Sequence, residues 1–340
     1  MHYSSECSTY QDLFIINFES TLTNYKHVKD LNNKIDFIKF KFYLFEVFKS
    51  LKNKVLYLIT KEISNLNIYT IIDNKIYTIL KHPKELVLFK YFTNNIDKEI
   101  LISSTENNIF IYDPSKQFNL ILLINSKLVI NNILLIFNNK KEDYIIYSHN
   151  NWLASLSLLK TGKAIKFIDN TKKCNDKCLI YWYNKKNEKY YLILLCFQKI
   201  LIVNILEDEI YAETIFEYGS INFHGLTYSK DNTDYLCFSS FNGYITIFDL
   251  DNKNIYKKIY CPKCRLIEIF SLSERYLVSS NYNLSEFIII DLEEGKIVSS
   301  YRSVYEDCIY NAKTINIEKY GKCILTCGSN KKIHLWKIFN

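Results

Sequence analysis

The chain has 340 residues, 48% hydrophobic and 16% aromatic, with 3 prolines and 7 glycines. That apolar content excludes a disordered chain, and no apolar run approaches the ~18 residues that would suggest a membrane span. The formal net charge of +7 is modest for this length and spread along the sequence, so a solvated surface is expected.

In chain order, the first strand-like run is DLFIINF (12–18), and an inner strand is expected to begin near Ile35. VLYLITKEISNLNIYTIID (55–73) then reads as two strands divided by a polar turn, and KEILISSTENNIFIYD (98–113) and DYIIYSHNNWLASLSLL (143–159) repeat that grammar. YYLILLCFQKILIVNIL (190–206) is a weaker copy. The next unit shows all four strands: INFHGLTY (221–228), DYLCFSS, GYITIFDL and NIYKKIY (254–260). RYLVSSNYNLSEFIIIDL (275–292) and KCILTCGSNKKIHLWKI (322–338) complete the series. Runs of five to eight β-branched and aromatic residues between breakers, without a sustained 3.6 period, predict strands and disfavour helices. Glycines at predicted turns, as in KTGKAI around Gly162 and EEGKIV around Gly295, supply positive φ cheaply.

The ends of the third strands, Ile71, Tyr112, Leu156, Asn204, Phe248, Ile290 and Trp336, are 41, 44, 48, 44, 42 and 46 residues apart. Four short strands with their turns need roughly 40–45 residues, the period of a propeller blade. The reading is therefore one all-β domain over 1–340, a seven-bladed β-propeller of four-stranded antiparallel blades. The blades are expected near 34–81, 82–125, 128–168, 178–216, 221–260, 264–302 and 308–338. Nothing follows the last third strand, so residues 12–18 are expected to complete the seventh blade and close the ring, hiding its edges.

GSNKKIHLWK (328–337), FNGYITIFDL (241–250) and FIIIDL (287–292) resemble the second turn and third strand of the WD-repeat family, and the likeness runs from residue 12 to 338. Trp336 keeps the family's tryptophan, while Asp113, Asp249 and Asp291 follow Tyr, Phe and Ile. The Gly-His pair that usually precedes the family's inner strand is absent. The resemblance implies a scaffold that binds other macromolecules.

No glycine lies in a phosphate-binding loop pattern, and no histidine pair has metalloprotease spacing. Cys261 and Cys264 have C-x-x-C spacing, and Cys174 and Cys178 form a looser pair. The two pairs fall in connections two blades apart, too far to share one zinc. No cofactor, metal or catalytic site is expected, and the protein is read as a non-enzyme. Ten cysteines without a leader at MHYSSECSTY suggest thiols in a reducing compartment, hence an intracellular protein of cytoplasm or nucleus.

The expected function is that of a scaffold or adaptor binding one or more proteins through a propeller face. Candidate contacts are the turns between second and third strands: Glu106, Asn107, His149, Asn150, Asn242, Asn281, Asn330 and Lys331. These share a face with the blade-to-blade connections. The alternative is an RNA-associated, non-catalytic subunit of an RNA-processing or RNA-modifying complex. It rests on two basic stretches, Lys172, Lys173, Lys177, Lys185, Lys186 and Lys189, then Lys253, Lys257, Lys258, Lys263 and Arg265. Lys257 and Lys258, in an expected outer strand, are read as guards against edge pairing.

Overall fold

A computed structural model describes residues 45–70, 75–93, 98–136, 142–149, 153–173, 178–196, 198–216, 221–240, 243–261, 266–271, 275–281, 286–302, 309–317, 321–328 and 333–337. These residues form seven successive antiparallel sheets. The first holds β1 (Phe45–Lys49), β2 (Leu56–Glu62), β3 (Asn65–Thr70) and β4 (Lys75–Lys81). The second holds β5 (Leu88–Thr93), β6 (Glu99–Ser104), β7 (Asn108–Asp113) and β8 (Asn119–Asn125). The third holds β9 (Ile130–Ile136), β10 (Tyr144–His149), β11 (Ala154–Leu158) and β12 (Ala164–Ile168). The fourth holds β13 (Cys178–Asn184), β14 (Lys189–Leu195), β15 (Lys199–Asn204) and β16 (Ile210–Ile215). The fifth holds β17 (Ile221–Lys230), β18 (Thr233–Ser240), β19 (Tyr244–Asp249) and β20 (Asn254–Tyr260). The sixth holds β21 (Leu266–Ser271), β22 (Tyr276–Asn281), β23 (Glu286–Asp291) and β24 (Lys296–Arg302). The seventh shows β25 (Ile309–Ile317), β26 (Gly321–Gly328) and β27 (Ile333–Lys337). The chain divides into two compact units, β2–β16 belonging to one and β18–β27 to the other.

Each sheet is a meander in chain order, and burial explains its sequence grammar. Second and third strands are covered on both faces: every residue of β6 is buried, and β7 and β15 are buried through their centres. Strands buried on both faces read as near-continuous apolar runs, which is why IFIY and ILIV lack alternation. Between the first two sheets, Phe48, Tyr57, Ile59 and Ile68 pack with Phe89, Leu101, Phe110 and Tyr112. The third and fourth sheets meet through Ile146, Leu156, Leu192, Leu194 and Leu201, and the fifth and sixth through Cys237, Ile247, Leu277 and Ile290.

One device recurs at the end of the third strand in each of the six sheets with a described fourth strand. The pairing of third with fourth strand slips at Tyr69, Tyr112, Ser157, Val203, Phe248 and Ile290, which are 43, 45, 46, 45 and 42 residues apart. Such a bulge bends the strand and increases its twist. In four of these sheets the next turn is capped by the strand's last residue. Asp249 Oδ1 accepts the backbone N–H of Asp251 and Asn252, and Asp291 Oδ1 those of Glu293 and Glu294. Asn204 does the same for Leu206 and Glu207, and Asp113 for Ser115. Four residues beyond Asp113, Leu158, Asn204, Asp249 and Asp291, the chain turns left-handed at Gln117, Gly162, Asp208, Lys253 and Gly295.

Asp291 is the most heavily held of these caps. Arg275 donates to its carboxylate through Nε at 2.8 Å and Nη2 at 2.6 Å. Burial pushes the Asp291 carboxyl up, but the guanidinium and two backbone N–H groups outweigh it and leave the group below the usual carboxylate range.

The first described strand, β1, runs into a turn in which Ser50 N–H donates to the Val55 carbonyl and Lys54 N–H to that of Ser50, and Ile35 lies outside the described residues. One expectation changes here. Lys257 is more than an edge guard, since its Nζ donates to the Glu293 carbonyl of the next sheet at 2.7 Å. Lys166 on β12 does the same to Leu206 of the fourth sheet at 2.6 Å. Residues 12–18, and with them the expected closing strand, lie outside the described residues.

Candidate functional site

In four of the sheets the turn between second and third strands accepts a backbone bond from the connection that leaves the fourth strand. Leu86 N–H donates to the Ile63 carbonyl, Ser126 to Asn107, Ile130 to Glu106, Phe216 to Gln198 and Cys261 to Gly243. Turns and connections therefore lie at the same end of each of these sheets, as the topology requires. The carbonyls are used internally, which leaves side chains as the recognition elements.

Of the residues picked from sequence, Glu106 is exposed and Asn107 half-buried at the turn between β6 and β7. His149 turns inward instead. It is 2% exposed, its Nε2 lies 2.7 Å from Ser155 Oγ, and its ring meets Tyr147 edge-on. A strand-end histidine with a serine across the hairpin buries its ring when that hydroxyl can pair with it. Its place as a surface contact is withdrawn. Asn281 ends β22, and its side chain, like Asn150, Asn242, Asn330 and Lys331, lies outside the described residues.

Sequence reading missed His82, which lies between β4 and β5 without a preceding glycine. Its backbone N–H and Nδ1 both face the Ser64 carbonyl, at 2.9 and 3.0 Å. A carbonyl only accepts, so Nδ1 carries the proton in the neutral ring and Nε2 accepts. Nε2 stands 2.7 Å from Ser103 Oγ on β6 and 3.0 Å from the Tyr112 hydroxyl on β7. Burial pushes the Tyr112 hydroxyl up to about 12, so it remains a donor. The set ties three segments together behind the turn.

Burial lowers both His82 and His149 from the ordinary 6.5. A folded value below the unfolded one gives stability that is complete above about pH 6.5 and lost as the pH falls through the folded values. The thermal midpoint is expected to fall between pH 7.5 and pH 5.5, and His82→Gln to flatten that decline. An equal decline in the variant would remove His82 from the account.

The basic stretches are partly struts: Lys257 reaches Glu293, and Lys189 Nζ pairs with Glu207 at 2.8 Å. They lend no support to an RNA footprint. Among the described residues no group of three or more His, Cys, Asp or Glu could hold a metal ion, and no helix is long and apolar enough to cross a membrane. Cys237, Cys261 and Cys323 are buried thiols.

No protein-family model matches the chain, and no curated protein matches it. Solved structures do. A crystal structure of BBS1N in complex with ARL6DN, soaked with lead, superposes with a TM-score of 0.66 at 10% identity, covering 88% of this chain and 93% of that one. A second, soaked with mercury, gives the same score and identity over 86% and 90%. At that identity the likeness shows the fold. The protein is an all-β, seven-bladed β-propeller.

Proposed function

We propose that this propeller is a non-catalytic scaffold of the WD-repeat type that binds a protein partner through the turns between second and third strands. The observation that carries this reading is its likeness to BBS1N, a propeller captured with ARL6DN. The WD-repeat assignment is supported by the aspartates that cap the third strands and by the bonded His82, Ser103 and Tyr112. Exposed Glu106, on a turn locked by two backbone bonds, offers a charge fixed in place at little entropic cost. The same reading places the protein in the cytoplasm or nucleus.

The test is cross-linked pull-down from the native cell with wild type and Glu106→Lys. Stoichiometric proteins should cross-link to the turn face, and a rim charge reversal should cut recovery about tenfold or less, through slower association. Recovery of every partner unchanged would move the interface to another face.

A further inference from the structure

The edge of a β-sheet presents unpaired backbone groups to any other strand, and charged residues are a common guard. Five of the six described fourth strands have them: Lys75 and Lys81 on β4, Lys166 on β12, Glu213 on β16, Lys257 and Lys258 on β20, and Lys296 and Arg302 on β24. The sixth does not. β8 reads Asn-Leu-Ile-Leu-Leu-Ile-Asn over Asn119–Asn125, with no charge and no proline, and it ends its sheet. Leu120, Ile121 and Leu123 are 52%, 55% and 45% exposed. The bulge at this strand is common to all six and does not set it apart.

The sequence of β8 also says what fits it. Antiparallel pairing about a two-fold axis at Leu122 sets Asn119 opposite Asn125, Leu120 opposite Ile124, and Ile121 opposite Leu123 of a second copy. Amide meets amide and apolar meets apolar throughout. The same operation sets Lys257 against itself on β20 and Lys75 against Lys81 on β4, like charges that repel directly across a pair. Self-complementarity about a two-fold axis is the requirement of a closed dimer. We propose that β8 is a homodimerisation edge, where a second copy of this chain pairs antiparallel with Asn119–Asn125. It is separate from the turn face, so either reading stands or falls without the other.

One strand per copy is a small interface, so association in roughly the micromolar range is expected. Sedimentation velocity of the full chain should show a monomer–dimer equilibrium. Ile121→Lys should return it to monomer with an unchanged thermal midpoint, and Tyr256→Lys on β20 should leave the equilibrium as it was. Should Ile121→Lys lower the midpoint, Leu123→Lys gives the same reading from a second exposed position. A wild type that stays monomeric overturns the proposal, as does a dimer that survives both β8 variants. So does a monomer that takes up a synthetic Asn119–Asn125 peptide, which would make the edge a site for a foreign strand.

Discussion

Glu99→Ala is expected to destabilise the fold by about 4 kcal/mol, among the largest single effects available in the described residues. Glu99 opens β6 and is only 5% exposed, yet its carboxylate is fully used. Oε2 accepts from Ser50 Oγ at 3.0 Å, and Oε1 accepts from Leu51 N–H at 2.5 Å and from the Tyr91 hydroxyl at 2.9 Å. Burial and the adjacent carboxylate hold the Tyr91 hydroxyl protonated far above its ordinary range, so it donates at any working pH. Removing the acceptor strands three donors at the joint between the first and second sheets, and a buried donor left unpaired costs ~1–3 kcal/mol. Glu99→Gln keeps one carbonyl oxygen for two of the donors, and Ser50 can turn to accept from the new amide. Its loss should be less than half that of alanine. Urea midpoints of the three proteins decide the matter, and an alanine variant within about 1 kcal/mol of wild type would show that the donors find water instead.

Glu99 also shows where sequence reading stops. A glutamate at a strand start, after a lysine, looks solvated, and nothing in its neighbourhood announces the serine and tyrosine that reach it from 49 and 8 residues away. The strands themselves were legible because strands covered on both faces must be apolar almost throughout, and that constraint repeats with the blade. Glu106 and Asn107 fall on the turn where the sequence put them, because turn chemistry is local. His149 was misjudged and His82 overlooked for one reason: a ring's direction depends on a hydroxyl across the hairpin or in the next sheet, and spacing along the chain does not encode it.

The third-to-fourth-strand turns carry the second large effect, and they reveal which glycines matter. All five described copies hold the residue four beyond the strand end at positive φ, but only Gly162 and Gly295 are glycine, at +67° and +70°. A left-handed conformation costs a non-glycine residue ~1–2 kcal/mol. At Gly162 that is only part of the cost, because an added Cβ would stand 2.8 Å from Cγ1 of Ile124, a buried side chain on β8 of the neighbouring sheet. Crowding of a packed site adds ~1–3 kcal/mol, so Gly162→Ala should cost about 3 kcal/mol in all. At Gly295 the Cβ would meet Cε of Lys257, the far end of a flexible chain, which can swing aside and lose its bond to the Glu293 carbonyl. Gly295→Ala should therefore cost clearly less than Gly162→Ala, near the conformational cost alone. The sign reverses at Asp208, which holds a φ of 56° without being glycine. Asp208 also accepts backbone N–H bonds from Asp169 and Asn170 of the third sheet, so its replacement by glycine relieves strain while breaking a joint. Lys253, at the same place, also holds a φ of 56°, so Lys253→Gly relieves that strain and should cost less than either glycine-to-alanine change. Chemical denaturation of Gly162→Ala, Gly295→Ala and Lys253→Gly should give that order of stabilities. Equal losses at the two glycines would mean that backbone conformation alone, and not the approach of the neighbouring sheet, fixes glycine at position 162.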